Sequence, residues 1–509
     1  MAKRVCVVGA GVSGVCTVKS CVEEGLDPTC YETREGVGGL WLYKKGERLQ
    51  RSRVYESLVS NVSKEASCFS DFPYPKNQTP YCSHTKIVEY LTSYVEHFNL
   101  GNRFIFNTIV ENIERQGFHK SGEPKWMVTI RNLHTSSRET LEYDAVIICG
   151  GRDGKPKMPD IEGLSDGMFE GEVMHSCQFD SSEIFLDKTV VVIGLGNSGA
   201  DIAVEVSRKA KKTIMSRSAG SWMIPRIMKG GLPGDMQTSS RFNAFLKSWL
   251  PEFVGDWLVR KIVNSRFNHD ALGISPRYKP GDRPNYLVND EFPSRIVSGK
   301  VVVKPEIEKL DANSVYFSDG TKEKVDIVIC ATGYDSYFPF ISDDILPDDR
   351  SQMKLFEWMI PFEMDYPESL AVVGVIPFSG GSQILQIECQ SRYVAQIMSG
   401  IKRLPSVEEM KKAYEDDISD FVGQGRTFIF RRKIGFEYQD RVANLGGFYP
   451  ILWKLLLRDP KLAFAVCFGP FMSYQYRLFG RHQWKQARER ILNAIPNTLY
   501  AISSKERFQ

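Results

Sequence analysis

The sequence predicts an α/β fold with two parallel-sheet domains, the second inserted into the first. A β-branched run, a glycine-rich turn and a helix-compatible stretch follow one another from Val5, and the same order recurs from Thr189. An apolar strand that ends in glycine closes each unit, at residues 145–151 and 326–333. The 509-residue chain also exceeds the ~250 to 300 residues at which one core usually splits. We therefore expect at least two domains built from strand-turn-helix units.

The order of these units predicts where the domains begin and end. Residues 1–154 and 331–445 are expected to form two parts of the first domain, and residues 155–330 the inserted second domain, which carries a helical insertion of its own. A segment rich in glycine, proline and charge follows Gly151 and suits the first crossover. Residues 446–509 are expected to form a C-terminal helical segment.

The composition excludes several classes of protein. A net charge of +3 argues against a dedicated nucleic-acid-binding protein. The eleven cysteines include no C-x-x-C pair, which argues against zinc and a disulfide framework and favours a reducing compartment. The apolar run after Arg4 breaks at Gly9, too early for a signal peptide, and no run reaches the ~18 apolar residues of a spanning helix.

The first glycine motif, Gly9-Ala10-Gly11-Val12-Ser13-Gly14, lies between a strand and a helix. Glycine permits the tight turn and lets the backbone approach a pyrophosphate, which the N-terminus of the helix attracts. Glu32 ends the next strand, where a carboxylate accepts hydrogen bonds from a ribose 2′-hydroxyl and repels a 2′-phosphate. This unit is therefore predicted to bind FAD or NAD and not NADP. The residues expected to contact this cofactor are Gly9, Gly11, Ser13, Gly14 and Glu32.

A second glycine pair follows shortly afterwards, in the run Gly38-Gly39-Leu40-Trp41. Such a pair lets another backbone segment approach a bound cofactor, and an ordinary turn is the alternative interpretation. We expect Gly39, Leu40 and Trp41 to contact the flavin.

The second glycine motif, Gly194-Leu195-Gly196-Asn197-Ser198-Gly199, again lies between a strand and a helix. Arg217 stands 23 positions after Gly194, the offset at which Glu32 follows Gly9 in the first unit. A cation with neighbouring hydroxyls at that position favours a ribose 2′-phosphate. This unit is therefore predicted to bind NADPH, through Gly194, Gly196, Asn197, Ser198, Gly199 and Arg217.

A third motif lies between the two glycine motifs. Phe169, Gly171, His175 and Phe179 have the F-x-G-x-x-x-H-x-x-x-(Y/F) spacing typical of flavin-dependent monooxygenases that bind both nucleotides on one chain. For His175 we weigh a hinge that couples the domains against a buried histidine with a structural role. A catalytic base is not expected there.

With these motifs in place, the chain resembles the animal-type flavin-containing monooxygenases from Val5 to about Leu492. The resemblance also rests on the runs Asn61-Val62-Ser63-Lys64-Glu65, Asn289-Asp290, Ala331-Thr332-Gly333-Tyr334 and Glu388-Cys389-Gln390-Ser391-Arg392-Tyr393. It implies a Rossmann-like NADPH domain inserted into a Rossmann-like FAD domain. Thr332 and Gly333 match the linker motif of the family and are expected near the cofactors.

The resemblance implies a reaction cycle. NADPH reduces FAD, O2 adds to give a C4a-hydroperoxyflavin, and one oxygen passes to a nucleophilic nitrogen or sulfur of a small molecule, such as a xenobiotic amine or sulfide. Asn61 matches the asparagine that lies near the flavin and helps to stabilise this intermediate, so it is the expected catalytic residue. The expected partners are O2 and small nucleophilic substrates.

Four other functions compete with this interpretation. A Baeyer-Villiger monooxygenase shares the fold and cofactors and oxygenates ketones, and an NADPH oxidase would release H2O2. A disulfide reductase needs a redox cysteine pair, which the spacing of the cysteines does not offer. A redox sensor that binds both nucleotides without turnover is the fourth competitor.

The sequence departs from the family at three places. Cys149-Gly150-Gly151-Arg152 replaces the usual histidine-containing run, which puts substrate access or NADP contacts in doubt. Ser218 follows Arg217 where many relatives have a second arginine, so a weaker preference for NADPH over NADH is expected. Vertebrate relatives end in a hydrophobic anchor and this chain stops at Gln509, so we expect a soluble or peripherally bound member, or one whose tail was removed.

Two stretches rich in aromatic residues leave membrane contact open. Residues 242–263 and 448–479 mix apolar and basic residues, which suits either buried helices or helices that lie on a membrane surface. The expected location is the cytoplasmic side of the endoplasmic reticulum membrane or the cytosol, and a homodimer is left open.

Overall fold

The computed structural model describes residues 2–46, 54–118, 124–279, 286–347, 352–376, 382–419 and 436–503. Its strands are β1 (Arg4–Val8), β2 (Asp27–Tyr31), β3 (Phe104–Ile105), β4 (Thr108–Phe118), β5 (Pro124–Asn132), β6 (Arg138–Tyr143), β7 (Ala145–Ile148), β8 (Lys155–Pro156), β9 (Glu172–His175), β10 (Thr189–Ile193), β11 (Lys212–Ser216), β12 (Met223–Ile224), β13 (Leu287–Val288), β14 (Val301–Lys304), β15 (Ile307–Asp311), β16 (Ser314–Phe317), β17 (Lys322–Lys324), β18 (Ile327–Cys330), β19 (Tyr334–Asp335), β20 (Leu355–Phe356), β21 (Ile360–Pro361) and β22 (Leu370–Val372). Its α-helices are α1 (Val12–Glu23), α2 (His84–His97), α3 (Asn197–Val206), α4 (Gly234–Thr238), α5 (Arg241–Trp249), α6 (Glu252–Asn264), α7 (Phe292–Val297), α8 (Gln383–Met398), α9 (Val407–Ser419), α10 (Phe436–Gly446), α11 (Leu452–Arg458), α12 (Pro460–Phe468), α13 (Ala487–Leu492) and α14 (Ala494–Ser503).

The first domain is built on a parallel sheet in the order β22-β7-β1-β2-β3. Strand β1 is buried along Val5 to Val8, as expected for a central strand of a sheet covered on both faces. Strand β22 comes more than 200 residues after β7 and pairs with it, so the chain returns to the first sheet after building the second. The predicted insertion of one domain into the other is confirmed.

The second domain repeats this plan strand for strand. Its parallel sheet has the order β9-β18-β10-β11-β14, so β10 occupies the central position that β1 has in the first sheet. Helix α3 follows β10 as α1 follows β1. In both sheets the strand that precedes the glycine turn therefore lies between the strand that follows its helix and the strand that closes the unit.

Two layers of side chains cover the first sheet. Val5, Val7 and Ile147 face the side that carries α1, α2 and α8. Val8 and Ile148 face the opposite side, where they pack with residues of the antiparallel sheet β4-β5-β6. This alternation along each strand places apolar side chains on both faces and leaves the carboxyl ends of the strands for the glycine turns.

The two crossovers between the domains run side by side. Strands β8 and β19 pair antiparallel, with Tyr334 opposite Pro156. The backbone N–H of Gly154 donates to the carbonyl of Asp335 at 2.9 Å. The linkers expected after Gly151 and near Ala331 thus form one two-stranded connection, while the exact domain boundaries stay predictions.

The C-terminal helices pack into the core of the first domain. Buried residues of α11, α12 and α13 share a core with α1 and α8. Arg477 is 1% exposed and lies 2.8 Å from Asp71 and 3.2 Å from Glu388, while Lys19 lies 2.5 Å from Asp71. Because Arg477 and Lys19 share the buried carboxylate of Asp71, and Arg477 also meets Glu388, this network ties the C-terminal segment to the first domain.

The two aromatic stretches are partly buried and partly exposed. Helices α5 and α12 meet through Phe242 and Phe468, whose ring centroids are 4.7 Å apart. Phe448 is fully buried, whereas Trp249 is 76% exposed. Within the described ranges, no helix is long and apolar enough to cross a membrane.

Candidate functional site

The first glycine turn needs glycine at positions where a side chain would collide with backbone. Gly9 has φ +98°, and a Cβ added there would lie 2.9 Å from the carbonyl oxygen of Cys149. A Cβ on Gly14 would lie 1.8 Å from the carbonyl oxygen of Gly9, which explains the close packing of α1 on β1. Helix α1 begins after Gly11, and no side chain of the described residues caps it. Its first N–H groups are therefore available to an anion.

The second glycine pair lies directly over this turn. The N–H of Gly38 donates to the carbonyl of Ala10 at 3.0 Å, and a Cβ on Gly39 would lie 2.7 Å from the Cα of Gly11. Leu40 and Trp41 follow in the same short helical turn. Two glycine backbones therefore lie together beside the N-terminus of α1, while contact of Gly39, Leu40 and Trp41 with the flavin stays a prediction.

Glu32 lies at the end of β2 and is buried. Its carboxylate accepts hydrogen bonds from the N–H groups of Ala10, at 2.7 Å, and Arg34, at 2.9 Å. The carboxylate is thereby held beside the first glycine turn, at the position predicted for contact with a ribose. Ser13 is also buried there, and it packs against Gly374 at the end of β22.

The second glycine turn has the same backbone plan and is more open. Gly194 has φ +104°, and its Cβ would lie 2.6 Å from the carbonyl oxygen of Ala331. Gly199 would collide with the carbonyl of Gly194, just as Gly14 would with that of Gly9. A Cβ on Gly196 would meet no described atom within 4 Å, and Ser198 is exposed. No side chain of the described residues caps α3, so its N-terminus is also available to an anion.

Asn197 has a structural contact that the sequence did not predict. Its side-chain oxygen accepts from the N–H of Val288 at 2.8 Å, and its amide donates to the carbonyl of Tyr286 at 3.3 Å. The side chain thus anchors β13 to the start of α3. Any contact of Asn197 with a nucleotide therefore falls to its backbone.

Arg217 follows β11 and carries a polar atom without a protein partner. Its Nε is buried and donates to no acceptor in the part of the chain that the structure describes. Burial lowers the pKa of Arg217, and the nearby Arg277 lowers it further. A partly buried guanidinium with an unused donor fits an anionic group such as a 2′-phosphate.

His175 couples the end of β9 to the return crossover. Its Nε2 lies 3.0 Å from the carbonyl oxygen of Gly333, and its Nδ1 accepts from the N–H of Cys177. The ring therefore donates from Nε2 and accepts at Nδ1, which leaves no lone pair for a catalytic base. Thr332 donates its hydroxyl to the carbonyl of Lys157, so its side chain serves the linker, while the backbone of residues 331–332 lies against Gly194.

The remaining residues of the third motif have packing roles. A Cβ on Gly171 would lie 2.4 Å from the ring of Phe169, so glycine there makes room for the aromatic side chain. Phe179 packs edge to face on Tyr55, with ring centroids 5.4 Å apart. The motif therefore fixes β9 and the turn that follows it within the second domain.

Asn61 lies at the contact between the two domains. Its side-chain oxygen accepts a hydrogen bond of 2.6 Å from the guanidinium of Arg226, which belongs to the helical insertion of the second domain. The Nε of Arg226 is buried and has no partner among the described residues. The backbone N–H of Arg226 donates to Asp290 at 3.1 Å. Arg226 thus holds the predicted catalytic side chain through a contact that the sequence did not signal.

A buried carboxylate, that of Asp201, lies near Arg226. Asp201, in α3, accepts from the amide of Asn289 at 2.5 Å, and Asn289 in turn receives the N–H groups of Glu291 and Phe292. Burial raises the pKa of Asp201, and the positive charge of Arg226 partly opposes this shift. The Asn289-Asp290 run of the sequence therefore acts as a brace between α3, α7 and Arg226.

The departure from the family at Arg152 lies near the first glycine turn. Arg152 lines a cavity of about 20 Å³ together with Gly374, Gln383 and Gln386. Gly374 has φ +88° and its N–H donates to the side chain of Gln390 at 2.9 Å. Gly374 was not among the predicted site residues, although a glycine close behind the closing strand of a sheet could have indicated this position.

Comparison with known proteins gives the family and close relatives. A family model described as flavin-binding monooxygenase-like matches residues 2–507. Flavin-containing monooxygenase 1 of Oryctolagus cuniculus is 38% identical over 515 residues, which cover 99% of this chain and 94% of the relative. Flavin-containing monooxygenase 1 of Homo sapiens is 36% identical over 512 residues, with the same coverage of both chains.

Solved structures share the fold at lower identity. The S-allyl-L-cysteine S-oxygenase of Allium sativum has a TM-score of 0.65 and 21% identity, and covers 96% of this chain and 99% of its own. A cyclohexanone monooxygenase variant of Rhodococcus sp. Phi1, solved with NADP+, has a TM-score of 0.62 and 17% identity, with 87% and 97% coverage.

Proposed function

This chain belongs to the flavin-binding monooxygenase-like family, and we propose that it transfers one oxygen atom of O2 to nucleophilic nitrogen or sulfur atoms of small molecules. It is an FAD-dependent monooxygenase that uses NADPH. The name of the Allium sativum structure, an S-oxygenase, supports sulfur as one of the atoms oxidised. The physiological substrate is proposed only by class, as a small amine or sulfide.

One observation carries the proposal: the chain presents two uncapped helix N-termini, each behind a glycine turn, with Asn61 between the two domains. The turn before α1 is followed by a carboxylate at Glu32, and the turn before α3 by a cation at Arg217. This difference in charge supports FAD at the first turn and NADPH at the second. Hydride transfer between two nucleotides requires such a pair of sites on one chain.

The protein's own residues then bind the cofactors, orient Asn61 and shield the site. Gly11 and Gly39 let their two backbone segments approach each other beside the N-terminus of α1. Arg226 binds the side-chain oxygen of Asn61, which turns the Asn61 amide N–H groups the other way. When bound and reduced, FAD supplies the activation of O2. A carboxylate or histidine base is not needed for attack by a nucleophilic nitrogen or sulfur, and His175 is already committed to the linker.

Product analysis with three probe substrates tests the proposal. The purified holoenzyme is given NADPH and O2 with a tertiary amine, a thioether or a cyclic ketone, and products are identified by mass spectrometry. We expect an N-oxide and a sulfoxide, formed in step with NADPH consumption. A lactone as the main product would assign the chain to ketone oxygenation, and NADPH consumption that yields only H2O2 would assign it to an oxidase.

The exposed aromatic side chains support a lipid surface as a further partner. Phe245, Trp249, Phe464 and Phe468 form an aromatic face on α5 and α12, with exposed fractions of 45% to 76%. Trp is enriched at membrane interfaces, and a large exposed apolar patch marks a contact site. Lys261 and Lys454, near other exposed tryptophans, add positive charge that suits anionic lipids. The location of the protein on the cytoplasmic side of the endoplasmic reticulum membrane or in the cytosol stays a prediction.

Vesicle flotation tests this part of the proposal. We expect the holoenzyme to float with vesicles that contain anionic lipid, and the Trp249→Ser, Phe464→Ser double variant to stay in the soluble fraction. Val297→Ser removes an equally exposed apolar side chain elsewhere and should float as the parent does. Failure of the parent to float, with a dimer in sedimentation analysis that the double variant loses, would identify a second copy of the chain as the occupant.

A further inference from the structure

Two arginines from separate segments of the chain lie near each other in the second domain. Arg217 follows β11, and Arg277 comes from the segment between α6 and β13, 60 residues later. The N–H of Arg277 donates to the carbonyl of Ala219 at 2.9 Å, and the N–H of Ser221 donates to the carbonyl of Ile274 at 3.0 Å. These two bonds hold the segments side by side.

The approach of the two segments is close enough to require glycine. Gly220 has φ +72°, and a Cβ there would lie 2.3 Å from the carbonyl oxygen of Ser275. This contact fixes the backbone of Arg277 beside Ala219, close to Arg217 along the chain, so the approach of the two segments is a built feature of the fold.

Arg277 has a long, exposed ion pair. Its guanidinium lies 3.9 Å from the carboxylate of Glu306, and its side chain is 69% exposed. Arg217 has its buried Nε unused, within the chain that the structure describes, and Arg277 lowers the pKa of Arg217. Like charges held together at this cost are typical of a site for an anion.

We propose that Arg277 binds the ribose 2′-phosphate of NADPH together with Arg217, and so supplies the second cation that Ser218 does not. The inference rests on the proposed NADPH site at the second glycine turn and adds a specificity residue to it. It replaces the expectation that Ser218 weakens the preference for NADPH, since the missing charge comes from another segment. The 2′-phosphate is then held between a partly buried and an exposed guanidinium.

Calorimetric binding of 2′,5′-ADP and 5′-AMP to the FAD-loaded holoenzyme tests the inference, because these two ligands differ only in the 2′-phosphate. We expect Arg277→Gln to weaken 2′,5′-ADP about tenfold, the size of one charge-assisted hydrogen bond, and to leave 5′-AMP unchanged. Arg138→Gln is the matched control. It removes an arginine of similar exposure, 67%, that pairs with Glu111 in the first domain.

The outcomes separate this inference from the proposed function. If Arg217→Gln weakens 2′,5′-ADP and Arg277→Gln does not, Arg277 has no role and the NADPH site stands. If neither variant changes binding of 2′,5′-ADP, the placement of the NADPH site at the second glycine turn is wrong as well. Thermal melting of each variant identifies loss of folding, and Arg277→Lys, which keeps the charge, should retain most of the affinity.

Discussion

Replacing Arg226 should uncouple NADPH consumption from substrate oxygenation. The guanidinium donates a 2.6 Å hydrogen bond to Asn61 across the contact between the domains. Arg226→Met keeps the length of the side chain and removes this bond, which is worth about 2 kcal/mol for a charged donor. If that energy serves only to orient Asn61, the oxygenation rate falls about 30-fold. NADPH oxidation should fall less, because the electrons then leave as H2O2.

The assay compares product formed, NADPH consumed and H2O2 released in the same reaction. Arg226→Lys should recover part of the coupling, since an ammonium can still donate to Asn61. Tyr81→Phe is the control, because the Tyr81 hydroxyl donates to the backbone carbonyl of Arg226 and does not touch its guanidinium. The reasoning is refuted if Asn61→Ser lowers product per NADPH while Arg226→Met leaves it unchanged.

Three further predictions follow from the described contacts. Arg477→Met removes a buried cation from Asp71 and Glu388 and should lower the free energy of unfolding by about 3 to 5 kcal/mol in urea denaturation, whereas exposed Arg488→Gln should lower it by less than about 1 kcal/mol. A maleimide should label the native protein at Cys467 alone, because the other ten thiols are buried, and labelling of Cys467→Ser at native conditions would contradict this. Gly196→Ala should weaken NADP+ binding in calorimetry without changing the melting temperature. The control is Gly101→Ala, which also adds its methyl group in open space and should change neither NADP+ binding nor the melting temperature.

The sequence predicted the elements whose signal is local. The strand, glycine turn and helix at Gly9 and at Gly194 lie where the motifs place them, because the spacing of glycine and apolar residues reports backbone geometry directly. Glu32 was found by the same route, since its offset from the turn is set by the length of one strand-helix-strand unit. The aromatic stretches were also identified, as segments of uncertain burial.

Contacts between distant segments could not be predicted from the sequence. Arg226 and Arg277 come from the helical insertion, and the residues they approach, Asn61 and Arg217, lie 165 and 60 positions away along the chain. The contact of Asn197 with NADPH stays a prediction, and the structure adds that its side chain anchors β13, a role that an amide at a helix start does not reveal in the sequence. That α5 and α12 would meet in one aromatic face likewise required the packed structure.

Labelling with ¹⁸O2 shows whether the transferred oxygen atom comes from O2. The holoenzyme, NADPH and a thioether are incubated under ¹⁸O2 in ordinary water, and the mass of the sulfoxide is measured by mass spectrometry. We expect one ¹⁸O atom in the sulfoxide for each NADPH consumed in coupled turnover. A sulfoxide that carries ¹⁶O from water, or NADPH oxidation without any sulfoxide, would contradict the assignment as a monooxygenase.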